Sequence, residues 1–259
     1  MISKNNKKKI KAVIIKLGIW NILKLIRGND RGEPCNKNLL IDGKAFYGDF
    51  IKTGNLVFDV GANYGNRVEI FVALGAKVVA IEPQLKCVKF LKKKYGNSIF
   101  IENVGLGSKN EMKIFYKADN SVFSTFSNSY IEKVEKTRHK TSIWKKSQPI
   151  QILTLNELII KYGIPDFIKI DVEGFEFEVL GGLSNNKSVI SFEYCVPELI
   201  DELLKCIERL HSIGYDKFSY SEEETMKLSC KWNSYEEFLK IVSAKDFLNS
   251  GFGDVYVKS

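Results

Sequence analysis

Residues 55–84, NLVFDVGANYGNRVEIFVALGAKVVAIEPQ, decide how this chain is read. The stretch opens on an apolar run, Leu56-Val57-Phe58, and breaks into Asp59-Val60-Gly61-Ala62-Asn63-Tyr64-Gly65. Val68, Phe71, Val72 and Leu74 then recur near helical spacing. A turn at Gly75 leads to a second apolar run, Lys77 to Ile81, which ends on Glu82-Pro83. The pattern predicts a βαβ unit with a glycine-rich first turn and an acid at the tip of its second strand.

Glycines at 61 and 65 allow a tight turn and a close approach of backbone to a ligand, because neither carries a Cβ. The helix start after Gly65 offers unpaired N–H groups and the positive end of a dipole. Glu82 stands where a carboxylate can take both hydroxyls of a ribose. The glycine spacing is not the G-x-G-x-x-G that cradles a pyrophosphate, and an acid, Asp59, precedes it. That arrangement suits a nucleoside with a positive end, of which S-adenosylmethionine is the common one. Asp59, Gly61, Asn63, Gly65 and Glu82 are therefore the candidate cofactor residues.

Working outward, 259 residues hold one α/β domain with additions and a core that needs no staples. The cysteines at 35, 87, 195, 206 and 230 form no C-x-x-C pair and have no histidine at ligand spacing. This argues against a zinc site and a disulfide framework and for a reducing, cytoplasmic compartment. The net charge of +8 is local: residues 1–27 carry eight Lys/Arg and no acid, and the remainder is balanced. Residues 4–27 read as a basic amphipathic helix, interrupted too often by lysine to span a membrane and lacking a cleavage site of the signal-peptide kind. It packs on the domain or contacts an anionic membrane face or partner peripherally. Residues 1–53 are accordingly taken as N-terminal helix and lead-in, with 28–54 a polar linker, and 54–259 as the main domain.

After the central unit the pattern predicts a helix from Cys87 to Tyr95 and a third strand over 98–104. Asn103, at the end of that strand, is placed to reach an adenine edge or to stabilise the turn. Met112 to Lys117 reads as a strand. Residues 119–148, rich in Ser, Lys and aromatics, read as a lid or substrate-contacting insertion too polar for core. Ile150–Leu153 reads as a short strand, with Thr154 capping the next helix. Phe167–Ile170 is a strand ending in Asp171-Val172-Glu173-Gly174, and Val189–Tyr194 is another ending beside an acid, Glu193. An amphipathic helix after Pro197 and strands at 217–220 and 254–258 complete an α/β architecture with a mainly parallel sheet.

Reading off the strand ends collects Asp59, Glu82, Asn103, Asp171 and Glu193 on one edge of the sheet, where open α/β sheets bind ligands. FDVGANYGN with AIEPQ, then QILTLNEL, then DFIKIDVEGFEFEVLGGL and ISFEY, in that order, resemble the FkbM-type family of S-adenosylmethionine-dependent methyltransferases. The similarity covers about residues 54–196. It implies a Rossmann-like class I methyltransferase fold, a mainly parallel seven-stranded sheet with helices on both faces. It also implies O-methylation of a sugar or glycan, lipid-linked or secondary-metabolite hydroxyl. By the resemblance, Asp59, Gly61, Asn63, Gly65 and Glu82 bind the cofactor and Asp171 lies beside the methyl-transfer site.

Such a site needs an aligned oxygen and help in removing its proton. Asp171 is the first candidate for that base, and His139, on the insertion, the second. His211 continues an apolar helix face and reads as structural. Asp171, Glu173 and Glu193 could together hold Mg²⁺, the alternative being hydrogen bonding to the cofactor's amino group or to helix ends; no metal ligand is assigned. A nucleic-acid methyltransferase is disfavoured, because the acid motif is not a Pro-Pro-aromatic loop and the main body carries no net positive charge. A non-catalytic scaffold would explain the fold but not the retained acids and glycines. A nicotinamide enzyme fails on the glycine spacing.

Overall fold

The apolar run at Leu56 becomes an interior strand, third of seven in its sheet, in the computed structural model, which describes residues 37–184 and 187–259. The expected helix at 4–27 lies outside the described residues. In chain order the first half contains α1 (Lys37–Tyr47), β1 (Leu56–Val60), α2 (Asn66–Ala73), β2 (Lys77–Ile81), α3 (Leu85–Tyr95) and β3 (Phe100–Glu102). A middle section follows with β4 (Gly105–Leu106), β5 (Glu111–Ala118), a 3₁₀ turn (Ser121–Phe123), α4 (Asn128–Val134) and β6 (Trp144–Leu153). The second half comprises α5 (Leu155–Tyr162), β7 (Phe167–Ile170), α6 (Glu176–Gly181), β8 (Val189–Cys195), α7 (Ile200–Ser212), β9 (Lys217–Glu222), α8 (Tyr235–Val242), α9 (Lys245–Leu248) and β10 (Phe252–Lys258).

The sheet runs β3-β2-β1-β7-β8-β10-β9. Pairing is parallel from β3 through β8, and β10 inserts antiparallel between β8 and β9. The order reverses between β1 and β7, so a crevice opens above their carboxyl ends. Strand alternation supplies both layers of core. Phe58 and Val60 face one side with Ile168, Ile170, Ile190 and Phe192, against α5 to α9. Val57 and Phe167 face the other with Val68, Phe71 and Leu91 of α2 and α3. Thr154 caps α5 as expected, and Glu157 reaches back to complete the capping box.

Three expectations need correction. The stretch expected to be a linker contains α1, whose Phe46 and Tyr47 are buried, with Tyr47 set edge-on to Phe71 and Phe167. Its polar residues hid an aromatic anchor: a helix this short needs only one buried turn to dock. The short strand at 150–153 begins at Trp144 instead and pairs with β5 across most of its length, forming with β4 a separate three-stranded sheet. The strand expected at 98–104 is only Phe100–Glu102.

The insertion is also not too polar for core. Phe123, Phe126, Tyr130, Ile131, Val134 and His139 are buried. Trp144 Nε1 donates to Phe123 O at 2.8 Å. Arg138 donates to Val196 O (2.8 Å), Gly251 O (3.2 Å) and the Glu198 carboxylate. The segment is a wall fastened to the domain on its far side.

Candidate active site

The carboxyl ends of β1, β2, β7 and β8 open into one cavity lined by Asp59, Gly61, Asn63, Glu82, Asp171 and Glu193, among others. Six of the predicted acids and turn residues thus converge as the strand ends require. Glu82 is 2% exposed, yet its two oxygens accept from the backbone N–H groups of Asn63 (2.8 Å) and Gln84 (2.7 Å). Those bonds fix the carboxylate at the tip of β2. Burial pushes it up to about 7 in spite of these donors.

Asn63 sits in the left-handed region at φ 47°, a conformation asparagine tolerates better than most residues. Its Oδ1 accepts from Ser121 Oγ (3.4 Å), tying the glycine turn to the insertion. Asp59 is likewise 2% exposed, and its Oδ2 has no hydrogen-bond partner among the described residues. Burial pushes it up to about 7, opposed by the charges of Lys169 and Arg67. A buried carboxylate oxygen without a donor is costly, and an ammonium group arriving from the cavity would satisfy it.

The glycines serve the fold more than the ligand. Gly61 lines the cavity at φ 84°, but a Cβ there would stand 1.9 Å from the Asp171 carbonyl oxygen. Its N–H, with that of Ala62, is already bound to Ile81 O. Gly65, at φ 82°, does not line the cavity; it packs against Leu91 and Tyr95 of α3 and begins α2. Asn103 is outside the cavity as well: its Nδ2 donates to Glu82 O (2.9 Å) and Pro83 O (3.1 Å). Of the two roles offered for it, stabilising the turn is the one the geometry shows.

Asp171 lines the cavity with its side chain 41% exposed and its Oδ2 3.4 Å from Lys169 Nζ. Two residues on, Glu173 is 4% exposed and takes the left-handed φ of 54°. Tyr130 donates its hydroxyl to the Glu173 carboxylate, and Thr125 Oγ1 donates to the Glu173 carbonyl (2.8 Å). The insertion therefore clamps the acid turn. Glu176, buried and pushed up to about 7 by that burial, accepts from Val172 N (3.1 Å) and Gly174 N (3.3 Å) beneath it.

His139 is not brought to the cavity. It is 1% exposed, with its ring 4.1 Å from that of Phe123 and edge-on to Trp144. An exposed lid histidine was expected to reach substrate; the aromatic cluster under the insertion holds it instead. His139→Gln is predicted to leave cofactor affinity within about twofold by calorimetry, since no cavity wall changes. His211 is structural as expected, stacked at 3.9 Å on Tyr235.

Residues that sequence reading passed over complete the site. Lys169, 1% exposed at the centre of the sheet, donates to Asp254 Oδ1 at 2.9 Å. Burial works against its charge, but the Asp171 and Asp254 carboxylates hold it well above its ordinary range. A lysine in a strand otherwise reading Phe-Ile-Ile was the available signal, because strands covered on both faces are apolar throughout. Arg67, at the start of α2, forms an ion pair with Glu224 on the cavity wall. Tyr130 and Glu224 carried no motif to flag them.

The sheet order, with its antiparallel β10, and the acid-lined crevice at the strand switch define a class I methyltransferase fold. The chain belongs to the FkbM methyltransferase domain family, whose model matches residues 59–241. Its methyl donor is S-adenosylmethionine. Similar solved structures include precorrin-6y C5,15-methyltransferase from Geobacter metallireducens GS-15, at 13% identity over 89% of this chain and 96% of that one, TM-score 0.43. A TehB-like SAM-dependent methyltransferase from Corynebacterium glutamicum is 10% identical over 84% and 88%, TM-score 0.44. A SAM-dependent methyltransferase from Aquifex aeolicus is 12% identical over 92% and 97%, TM-score 0.42. No curated protein matches the chain.

Proposed function

We propose that the protein transfers the methyl group of S-adenosylmethionine to a hydroxyl of a small polyhydroxylated acceptor, such as a sugar, a lipid-linked glycan or a secondary metabolite. The observation that carries this reading is the contact between the two motifs. Gly61 has room for no Cβ because the end of β7 lies against it, so Asp171 stands at the cofactor turn. An acid at that place can orient a hydroxyl and receive its proton.

The bound cofactor would supply an activated methyl on a sulfonium. The chain's own groups have the remaining tasks. Glu82 takes ribose hydroxyls, Asp59 meets the ammonium end, and Asp171 and Glu173 face the acceptor. Phe115, Phe126 and Phe175, which line the cavity, exclude water from it. No helix among the described residues is long and apolar enough to cross a membrane. The eight Lys/Arg of residues 1–27 support a peripheral place at an anionic membrane face, where a lipid-linked acceptor would be met. The even charge of the remaining chain speaks against nucleic acid as acceptor.

Calorimetric titration with S-adenosylmethionine and S-adenosylhomocysteine, followed by transfer of labelled methyl to a panel of glycans and lipids, tests the reading. Micromolar cofactor binding and label on a hydroxyl are expected. A folded sample that binds neither compound would sink it in favour of a scaffold.

The buried acids set a pH dependence. For Asp59 and Glu82, both pushed up to about 7, the folded state keeps protons that the unfolded chain has released at lower pH. Stability of the ligand-free protein therefore falls as pH rises from the ordinary carboxylate range to about 7, then levels. Affinity for S-adenosylhomocysteine should rise from about pH 6 to about pH 7.5, because its ammonium end needs Asp59 ionised. Melting temperatures and titrations at the two pH values check both signs.

A further inference from the structure

An amino-acid end carries its ammonium and its carboxylate on one carbon, so the groups that bind them must be neighbours. Asp59 at the glycine turn meets the ammonium, and a cation beside it has to take the carboxylate. Arg67 and Lys169 are the cations that line the cavity. Lys169 is 1% exposed and held between Asp254 at 2.9 Å and Asp171 at 3.4 Å, so its charge is committed inside the sheet. Arg67 is placed differently. It stands on the first turn of α2, close enough to Asp59 for its charge to oppose the rise that burial gives that carboxyl. Burial works against its own charge, and the Glu224 carboxylate holds it well above its ordinary range.

The pair with Glu224 uses only part of what the guanidinium offers. Nη2 donates to one Glu224 oxygen, while Nε, on the same edge of the fork, is buried with no hydrogen-bond partner among the described residues. A carboxylate seated side-on takes Nε and Nη2 together. The turn after β9 sets Glu224 opposite the arginine: Glu223 adopts the left-handed φ of 52°, and its N–H donates to Phe252 O at 2.9 Å. The Glu224 side chain is 34% exposed, and an ion pair with so exposed a partner gives way to solvent at little cost.

Resting on the S-adenosylmethionine reading, we propose that Arg67 binds the cofactor's carboxylate side-on and that Glu224 is its exchangeable stand-in, released to solvent when the amino-acid end arrives. Asp59 and Arg67 are then the two halves of one clamp for a zwitterion. The oxygen of Asp59 and the Nε of Arg67 that lack partners among the described residues are satisfied by a single ligand. Glu224 keeps the arginine paired in an acid-lined cavity and yields only to a ligand that brings a carboxylate of its own. A cofactor analogue without that carboxylate gains nothing from the exchange.

The test is calorimetric titration of the full chain with S-adenosylhomocysteine and with its decarboxylated analogue, which keeps the ammonium, on wild type, Arg67→Gln and Glu224→Gln. The readout is the ratio of the two affinities within each protein, since a disturbance of the fold moves both ligands alike. Expected is a fall of at least about tenfold in that ratio in Arg67→Gln, and a rise of at least about threefold in Glu224→Gln, where the stand-in no longer competes. A ratio in Arg67→Gln within about twofold of wild type overturns the proposal, because the arginine would then only hold the turn after β9. So does a ratio that falls in Glu224→Gln, because the acid would then position Arg67 rather than yield to the ligand. Should Arg67→Gln fail to fold, Glu224→Gln decides alone. A folded wild type that binds neither compound removes the cofactor reading itself; binding of both with ratios that do not move removes only the roles of Arg67 and Glu224.

Discussion

Replacing Lys169 with methionine is expected to destabilise the protein by about 3–5 kcal/mol. The substitution keeps the volume of the side chain and removes only the charge. Among the described residues, Asp254 is then left in the sheet interior with no cation bonded to it and only the Tyr256 hydroxyl donating at 3.4 Å, and Asp171 loses its neighbour. Breaking a buried pair from one side costs far more than the pair is worth, because the remaining charge keeps its desolvation penalty. Against a total stability of roughly 5–15 kcal/mol this is a large share. At roughly 2–4 °C per kcal/mol for a domain of this size, the melting temperature should fall by about 6–20 °C.

Two further measurements separate charge from packing. Lys169→Met with Asp254→Asn should recover most of the loss, since the buried carboxylate is gone and the one that remains beside the new side chain, Asp171, is 41% exposed. The single variant should also lose less at about pH 5 than at about pH 8, because burial already raises Asp254 and an unpaired carboxylate will take up a proton more readily still. A Lys169→Met protein as stable as wild type at both pH values would show that the lysine is not what holds Asp254 in place.

Glu82→Ala should weaken S-adenosylmethionine binding by at least about 100-fold, roughly 2.7 kcal/mol. The carboxylate is oriented before any ligand arrives, by the backbone N–H groups of Asn63 and Gln84 at 2.8 and 2.7 Å. A charged acceptor fixed in this way loses little entropy when it takes two hydroxyls, and such bonds are among the stronger ones. Alanine removes the acceptor for the ligand and for both N–H groups, so the turn at Asn63 also loosens. Glu82→Gln separates the two effects. It keeps the side-chain volume and an oxygen for one of the two N–H groups while losing the charge and the second acceptor, so the turn loses one backbone bond where alanine loses both, and affinity still falls. Unchanged affinity in both variants would remove Glu82 from the cofactor site.

The fold was legible because its evidence is periodic. Leu56 to Ile81 shows a strand, a helix and a strand by spacing alone, and Pro165 to Leu180 repeats the strand and helix. Acids at strand tips are legible for the same reason: topology places them, and side-chain detail is not needed. What was not legible depends on contacts between distant segments. The reading of Gly61 as room for a ligand was reasonable, but the room is taken by a carbonyl 110 residues away. His139 read as part of a polar lid because its neighbours in sequence are Arg138 and Lys140, whereas its neighbours in space are Phe123, Tyr130 and Trp144. Lys169 was hidden by the strand's otherwise correct apolar pattern, and Tyr130 by lying 43 residues from the acid it holds.

The way the insertion is fastened limits how this enzyme can be altered. Residues 119–143 touch the acid turn through Tyr130 and Thr125, and they grip the segments at Val196, Glu198 and Gly251 through Arg138. Acceptor preference is therefore not a cassette. Transplanting the insertion alone into a related scaffold would carry Arg138 without its carbonyls and Tyr130 without its glutamate. A working exchange must move four separated pieces together: the insertion, the turn at 171–176, and the segments around 196–198 and 251.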